Sequence, residues 1–338
     1  EMSSSWEVGV DVRFFAGRTR LDVAYYSIQT NNQIVTVRVP VTAGYVLQTR
    51  NERSVKNHGV EISLEQDIIK NSDWTWTAAF KLGLNRGVVV DLPDDVDRIA
   101  GTQYGDIFPA AYRGGSTTAL LGADYLRTED GTIICDEKGY PQISPKKENL
   151  IGNREPIFMS GLSTTVKYKG WSLSALFEGR LGGSVANITS RGLWSSGMHP
   201  AIEHYRGRQV VWDGVVQTGT DANGNPIYEQ NTTPIVLDAT TISERYMVSS
   251  NFLEDGSYIR LQYVTLGYDF SSLLKRVKGI EGIKLSFTGN NLFLISRYTG
   301  SDPQANASVG ASGTGSAGID NYAVPSTRSY NVSFQLTF

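Results

Sequence analysis

The sequence predicts an all-β protein: a transmembrane antiparallel β-barrel, of which about nine strands lie in this chain. Three observations predict it: a sustained alternation of apolar and polar residues, unusually long strands, and connections that alternate between short and long. The composition agrees, because the 338 residues include 10% aromatic residues, 35 glycines and only 19% charged residues. Such a chain has the apolar surface and the turn formers of an ordered β structure.

The alternation is clearest in the first and last predicted strands. Even positions from Trp6 to Phe14 are apolar, and the odd positions between them are polar or glycine. The last strand repeats the pattern from Tyr330 to Phe338. A period of two gives a strand one apolar and one polar face. The same pattern predicts strands over 5–15, 19–30, 57–69, 72–86, 157–169, 171–183, 256–270, 281–294 and 327–338.

The length of these strands separates a membrane barrel from a soluble sheet. Most of the stretches have 11 residues or more. Strands of soluble sheets have about 5 to 6 residues, whereas a strand that crosses a bilayer at a tilt needs about 9 to 11. The lengths therefore favour a membrane barrel.

Short and long connections alternate along the whole chain. The short ones are 16–18, the residues near 70–72, 169–170 and 271–282. Outer-membrane barrels have short periplasmic turns and long extracellular loops. We therefore expect the long connections to be extracellular, namely 31–56, 87–156, 184–255 and 295–326.

Composition and motifs exclude several other classes. A net charge of -3 argues against a nucleic-acid partner, and a single cysteine excludes a disulfide framework. The sequence contains no apolar run of about 18 residues, so it predicts no membrane-spanning helix. The spacing of His199 and His204 does not suit a metal on one helix face, and no catalytic or nucleotide motif is found. We therefore predict no enzyme activity, no metal and no cofactor.

Aromatic residues near strand ends, most of them beside the short turns, predict girdles at the membrane–water boundary. An aromatic ring has an apolar body, and in Trp and Tyr a polar tip, which suits that boundary. The alternative is that these rings belong to the core of a β-sandwich. The predicted interface aromatics are Trp6, Phe14, Trp74, Trp76, Tyr168, Trp171 and Phe338, with Phe15, Tyr268 and Phe270 at the same strand ends.

Nine strands cannot make a complete bacterial barrel. Single-chain bacterial barrels have an even number of strands, and an open sheet would leave two unpaired edges in lipid. The last strand ends at Phe338. We therefore expect the remaining strands to precede Glu1.

Several stretches resemble one family. The segment FLEDGSYIRLQYVTLGYDFSSLL (252–274) resembles a late-strand motif of SusC/RagA-type TonB-dependent outer-membrane transporters of the Bacteroidetes. Further matches follow the same order along the chain: NHGVEISLE (57–65), the run 151–183, FTGNNLFLISRYTGSDPQ (287–304) and the tail PSTRSYNVSFQLTF (325–338). Phe338 also resembles the terminal signal that the barrel assembly machinery reads.

The resemblance implies a fold and a function. The family fold is a plugged barrel of about 22 strands, and residues 1–338 resemble its C-terminal part, with no counterpart to the plug. It implies uptake of oligosaccharides or peptides across the outer membrane, with a SusD-like lipoprotein lid and energy from TonB. The implied partners also include the plug, the remaining strands and outer-membrane lipid.

Candidate ligand contacts lie in the long loops. Aromatic side chains interspersed with polar ones suit carbohydrate or peptide contact. The alternative is a loop that packs on its own aromatic side chains. The candidates are Trp194, His199, Tyr205, Trp212 and Tyr322.

Two other functions stay open at this point. The first is a non-transporting outer-membrane barrel component or adhesin, which would keep the barrel without a plug. The second is a soluble carbohydrate-binding β-sandwich, which would need no detergent for extraction.

Overall fold

Nine long strands form one antiparallel sheet in the computed structural model, which describes residues 1–39, 42, 44–273, 279–304 and 318–338. Each strand pairs with its neighbour in sequence, so the spatial order is the chain order. Parts of the predicted connections 31–56, 271–282 and 295–326 lie outside the described residues. The strands are β1 (Met2–Phe14), β2 (Thr19–Arg38), β3 (Leu47–Lys70), β4 (Trp74–Asp91), β5 (Phe158–Tyr168), β6 (Trp171–Leu181), β7 (Tyr258–Asp269), β8 (Gly282–Ser296) and β9 (Ser329–Thr337).

The register keeps one face of the sheet apolar across neighbouring strands. Leu21 of β2 pairs with Leu64 of β3, and Leu64 pairs with Phe80 of β4. Directly paired residues lie on the same face of an antiparallel sheet. The apolar rings and branched chains on this outward face are exposed, as those of Val332 and Phe334 are in β9. The polar residues between them form the opposite, inward face.

This arrangement confirms the predicted all-β fold with its nine long antiparallel strands. A β-sandwich would bury the apolar face against a second sheet. Here the apolar face of the nine-stranded sheet is exposed to the surroundings, from Val8 in β1 to Leu336 in β9. The sandwich alternative is therefore wrong for this sheet.

The predicted loop 31–56 is wrong in its extent, because most of it is strand. Strand β2 continues to Arg38 and β3 begins at Leu47. Their pairing is interrupted by bulges near Gln33, beside Asn32 with its positive φ of 55°. Strands of 20 and 24 residues exceed the ~9 to 11 that cross a bilayer, so a lipid-facing side requires apolar–polar alternation over only part of their length. The signal for a strand is therefore lost.

The other long connections contain short strands and helices of their own. We call these connections together the cap. Their strands are Arg98–Ala100, Phe108–Tyr112, Ala119–Gly122, Ile134–Cys135, Asn149–Asn153, Ser184–Asn187, Gln209–Val211, Val215–Thr220, Pro226–Gln230, Pro234–Val236, Leu253–Asp255 and Ile319–Asp320. The α-helices are Ile188–Ser195, Ile202–Tyr205 and Ala239–Thr241, followed by a π-helix at Ile242–Tyr246 and a 3-10 helix at Ser249–Phe252; a second 3-10 helix, Ser271–Leu273, follows β7. Within the described residues, none of the helices is long and apolar enough to span a bilayer.

The cap has its own hydrophobic core, drawn from all three long connections. One cluster joins Ile107 and Leu120 to Ile188 and Ile319. A second cluster contains Trp194, Ile202, Leu237, Ile242 and Phe252. Burial of such side chains is the main source of stability for a unit of this size. The three connections therefore fold together and do not behave as separate loops.

Candidate functional site

A three-stranded sheet joins two of the three connections of the cap. Ser184–Asn187 pairs antiparallel with Leu253–Asp255 and parallel with Ile319–Asp320. Buried Asn187 caps the helix Ile188–Ser195, since its Oδ1 accepts the backbone N–H of Ser190 at 2.8 Å. Its Nδ2 donates to Glu254 at 2.8 Å. Caps of this kind satisfy backbone donors that a helix leaves unpaired.

Asp320 is a second polar junction of the cap. Its carboxylate accepts hydrogen bonds from the hydroxyls of Thr189 at 3.0 Å and Tyr298 at 2.7 Å. Burial, together with the neighbouring Asp320 carboxylate, raises the pKa of Tyr298 above its ordinary value. Tyr298 therefore stays a neutral donor, which fixes the end of β8 to the parallel strand at Asp320.

A polar network on the inward face connects the sheet to the cap. The Glu178 carboxylate accepts hydrogen bonds from the Tyr258 hydroxyl, the Gln262 amide and the Gln304 amide. A bulge in the pairing of β6 with β7 makes Gln262 an extra residue of β7, between Leu261 and Tyr263. Bulges redirect side chains in this way. The network therefore anchors residue 304, beyond β8, to the wall formed by β6 and β7.

Next to it, Arg260 of β7 forms an ion pair with Asp302. The guanidinium Nη2 lies 2.6 Å from Asp302 Oδ1, and its Nη1 donates to Ser326 at 2.9 Å. The Asp302 carboxylate also accepts the backbone N–H groups of Gln304 at 2.9 Å and Ser326 at 3.3 Å. This second contact fixes both ends of the connection between β8 and β9.

Four of the predicted ligand contacts pack against each other or against the cap core. Trp194 is only 5% exposed. Its ring stacks on His199 at a centroid distance of 4.9 Å and on Tyr205 at 6.5 Å. Trp212 is half-buried and packs on Tyr246 at 6.0 Å. The loop therefore does pack on its own aromatics, and Trp194 has almost no surface left for a ligand.

Tyr205 and Tyr322 remain accessible. Tyr322 is 65% exposed although its backbone is constrained by a positive φ of 55°. Its N–H donates to Thr189 at 2.8 Å, and its hydroxyl lies over Gly192, where a Cβ would come within 1.8 Å. A non-glycine residue in this backbone region is strained. The structure therefore places an exposed phenol ring firmly on the cap.

Predicted interface aromatics form a row across four strands at the short-turn end. Tyr168 pairs with Trp74 on one side and Trp171 on the other, and Trp171 pairs with Tyr268. The rings of Trp74 and Tyr168 are 4.1 Å apart, and those of Trp171 and Tyr268 are 4.8 Å apart. We call this set the lower aromatic row.

The other predicted interface aromatics lie around the apolar band. Trp76 lies one outward position above Trp74 and donates to Thr164 at 3.0 Å. Phe14 and the exposed Phe338 lie at strand ends near the short turns. Trp6 differs, because it lies eight positions before Phe14 on β1 and packs on Tyr25 at 5.3 Å. It belongs to the opposite margin of the apolar face.

The sequence indicates some parts of these networks and not others. Glu178 lies on the predicted polar face, but the sequence does not predict its partners Gln262 and Gln304 or the Arg260–Asp302 pair. The one signal available is the motif stretch that ends in SDPQ (301–304), which contains both Asp302 and Gln304. Contacts across more than 40 positions follow from the register of the sheet, which one sequence does not reveal.

The described part of the chain contains no cluster of three or more His, Cys, Asp or Glu side chains that could hold a metal ion. Cys135 is buried in the cap, and burial raises the pKa of its thiol to about 11. A thiol with such a pKa is a poor nucleophile near neutral pH.

The fold and the site together define a class. A single sheet of long antiparallel strands, with an exposed apolar face, a polar inward face, an aromatic row and a folded cap at one end, is the wall of an outer-membrane β-barrel. The family model described as "TonB dependent receptor-like, beta-barrel" matches residues 1–338. The chain belongs to this family, and the resemblance to SusC/RagA transporters is confirmed.

Curated relatives extend well beyond the matched region. TonB-dependent receptor P3 of Formosa agariphila is 26% identical over 364 aligned residues, which cover 100% of this chain and 34% of the relative. TonB-dependent receptor SusC of Bacteroides thetaiotaomicron is 23% identical, with 92% of this chain and 30% of the relative covered. The chain thus spans about a third of the length of the relatives it matches.

Solved structures support the fold. The RagAB peptide importer in its "open-open" state matches 99% of this chain and 34% of its own, with a TM-score of 0.70 and 21% identity. The "closed-closed" state gives a TM-score of 0.68 at 21% identity, with 99% of this chain and 35% of that one covered. The nine strands therefore correspond to part of a larger RagA-like barrel.

Proposed function

We propose that the protein containing this chain imports oligosaccharides or peptides across the outer membrane, driven by TonB. The observation that carries the proposal is the family match along the entire chain, together with a RagA-like barrel wall. A SusC relative and the RagAB peptide importer among the structural neighbours support nutrient import as the activity. In this proposal the cap is extracellular and forms part of the mouth of the barrel.

A lipoprotein lid of the SusD type is the proposed partner of the cap. The RagAB peptide importer is among the structural neighbours of this chain, and the resemblance to SusC/RagA transporters implies such a lid. The cap also exposes apolar side chains that a partner could cover, with Met198 72% and Val324 85% exposed. Exposed apolar side chains of this kind suit a protein contact. The accessible rings of Tyr205 and Tyr322 are the proposed ligand or lid contacts.

The aromatic residues at the two margins are the proposed membrane-interface residues. The lower aromatic row, Trp76, Phe14 and Phe338 would lie at the periplasmic boundary, and Trp6 would lie at the extracellular one. Tyrosine and tryptophan suit both boundaries because one end of the ring is apolar and the other is polar.

Uptake by intact cells tests the proposal. A strain lacking the whole gene is compared with the parent for uptake of fluorescent oligosaccharides and of fluorescent peptides, each supplied separately. The proposal expects uptake of one of these two classes to fall to background and to return with the full-length gene. Disruption of TonB should give the same loss.

The same experiment decides between import and adhesion. An adhesin or structural barrel component would leave uptake of both ligand classes unchanged in the deletion strain. The deletion strain would instead lose attachment to a surface or its outer-membrane integrity. Unchanged uptake of both classes would therefore reject the proposal.

A further inference from the structure

A group of basic side chains lies on the outward face, at the end of the sheet where the cap is. Trp6, Ser27, His58 and Arg86 form one register row across β1 to β4. The next row towards the cap contains Gln29, Lys56 and Val88. We call His58, Lys56 and Arg86 the outer basic patch.

The outward direction of these side chains follows from the register. His58 lies two positions before Val60 on β3, and Arg86 lies two positions after Leu84 on β4. Val60 and Leu84 pair directly and belong to the apolar face, and no bulge separates them from the basic residues. Residues two apart on a strand share a face. The patch therefore continues the lipid-facing side and does not face the lumen.

The position of the patch along β4 matches the upper boundary of the apolar band of a membrane barrel. Arg86 lies ten positions after Trp76 on β4, and the outward positions between them are Ala78, Phe80, Leu82 and Leu84. At ~3.3 Å per residue and a tilt of ~40°, ten positions rise about 25 Å. That is about the height of the apolar band of an outer-membrane barrel. The patch and Trp6 thus lie together at the upper edge of the band.

Among the described residues, no ion pair joins the side chains of the patch to a carboxylate. The Arg86 guanidinium donates to the backbone oxygens of Pro156 at 2.8 Å and Ile157 at 3.3 Å, which are neutral. Lys56 is exposed, and the described ion pairs do not include it. Within the described chain, Nδ1 of His58 is buried without a hydrogen-bond partner.

The carboxylate of Glu155, beside this part of the sheet, contacts residues of the other face. Glu155 accepts the side-chain amide of Asn85 at 2.8 Å, and Asn85 alternates with Leu84 and Arg86, so it faces inward. Cross-strand neighbours such as His58 and Arg86 lie about 5 Å apart at Cβ, and Lys56 is diagonal to Arg86 on the same face. Two permanent cations and an imidazole therefore lie together on a lipid-facing surface.

We propose that the outer basic patch binds the phosphate of an outer-leaflet glycolipid of the lipid A type. The inference rests on the proposed outer-membrane orientation, which puts the cap end in the outer leaflet. The outer leaflet of a Gram-negative outer membrane is made of acylated, phosphorylated sugars. Acyl chains pack on the apolar band below the patch, and Lys56 and Arg86 meet the phosphate at its edge. Lysine suits phosphate as a point charge, and the Arg86 guanidinium, whose Nη atoms donate to Pro156 and Ile157, adds a second positive charge beside it.

Binding of purified lipids to the full-length protein in detergent tests the inference. The probes are diphosphoryl lipid A, dephosphorylated lipid A and phosphatidylglycerol, each titrated and followed by native mass spectrometry. The unchanged protein should bind diphosphoryl lipid A in preference to the other two. Lys56→Gln should weaken that binding about fivefold, because each basic side chain near a membrane surface contributes about that factor to binding of an anionic lipid.

Three further variants separate the effect of charge from an effect on folding. Arg86→Lys keeps the charge and should retain most of the binding, whereas Arg86→Gln should lose as much as Lys56→Gln does. Lys81→Gln is the matched control, because it removes the same charge from the inward face of β4 and should leave lipid A binding unchanged. Thermal unfolding of each variant checks that the barrel is intact. If Arg86→Gln fails to assemble, the comparison of Lys56→Gln with Lys81→Gln still decides the question.

Three results would overturn the inference: equal affinity of Lys56→Gln and unchanged protein for lipid A, equal losses in Lys56→Gln and Lys81→Gln, or no preference for the phosphorylated lipid. A preference for phosphatidylglycerol would also overturn it. Loss of nutrient uptake is measured separately in cells. Lipid A binding without uptake would reject the proposed function alone, and uptake without lipid A binding would reject the patch alone.

Discussion

Arg260 and Asp302 form an ion pair that is almost completely removed from solvent. Their side chains are each 4% exposed, and Nη2 of Arg260 lies 2.6 Å from Oδ1 of Asp302. Burial of Asp302 opposes ionisation, but hydrogen bonds from Gln304, Ser326 and Arg260 outweigh it and hold the pKa of the carboxyl below its ordinary value. A buried charge whose partner is removed costs far more than the pair itself contributes. The pair is therefore a sensitive link between the barrel wall and the connection that follows β8.

Removal of the charge from this pair should loosen the cap. We expect Asp302→Asn to destabilise the protein by about 3 kcal/mol, because Arg260 would stay buried without a counter-ion. Thermal unfolding of the full-length protein and limited proteolysis of the residues after β8 measure the effect. Glu65→Gln is the matched control, since its partner Arg20 is half-exposed and such pairs contribute about 0–1 kcal/mol. Equal effects of the two substitutions would contradict a special role for the buried pair.

Two adjacent alanines on β4 test the assignment of the faces. Ala78 pairs with Gln66 and Thr164 on the outward face, and Ala79 pairs with Glu65 and Ser163 on the inward face. Ala78→Arg should cost about 2 to 4 kcal/mol and reduce the amount of assembled barrel, because it places a charge in the lipid. Ala79→Arg should be tolerated in the polar lumen. Heat-modifiable migration on gels measures assembly, and similar losses in both variants would refute the assignment.

Gly192 should be required for the position of Tyr322. A Cβ at residue 192 would lie 1.8 Å from the Tyr322 hydroxyl. We expect Gly192→Ala to displace the tyrosine and to increase proteolysis of the residues around 322, although alanine itself favours the helix. Gly83→Ala is the control, since a Cβ at this position on the inward face of β4 would have no other atom within 4 Å. Unchanged proteolysis in Gly192→Ala would mean that the contact does not hold Tyr322.

The stack of His199 on Trp194 should depend on pH. Burial lowers the pKa of His199, while Glu254 acts weakly in the opposite direction, and Nδ1 accepts the backbone N–H of Ala201 at 3.2 Å. The neutral ring is therefore the form that packs. Its contribution to stability is complete above the unfolded-state pKa of about 6.5 and is lost as the pH falls through the lower folded-state pKa.

Hydrogen exchange of residues 193–205 between pH 7.5 and pH 5 measures this loss. After correction for the intrinsic pH dependence of exchange, protection should decrease in the unchanged protein. His199→Phe keeps an aromatic ring but does not titrate, so its protection should stay constant over the same range. A decrease of equal size in His199→Phe would assign the effect to another group.

The sequence is sufficient to predict the strands of the sheet but not the structure of the cap, and the reason is physical. Apolar and polar residues must alternate in strands such as β9, because lipid lies on one side of the sheet and polar surroundings on the other. The sequence of such a strand therefore predicts its structure. The extended hairpin up to Arg38 and from Leu47 has no such constraint, and its pattern predicts a loop. Trp194 shows the same limit within the cap, since a buried ring and a ligand-binding ring have the same sequence signal. The Arg260–Asp302 pair depends on a register that only the folded sheet supplies.

The hydrogen bond between Thr189 and Asp320 indicates the order in which the parts of the molecule fold. These residues are 131 positions apart, whereas the nine strands pair only with their neighbours in the chain. Contacts between distant residues form late, because the entropy of closing the intervening loop is lost before the contact stabilises anything. The hairpins with short turns, such as β1–β2 and β5–β6, can therefore form before the cap, which needs the residues beyond β8. A chain without the residues from Ile319 onward would therefore be unable to complete its cap.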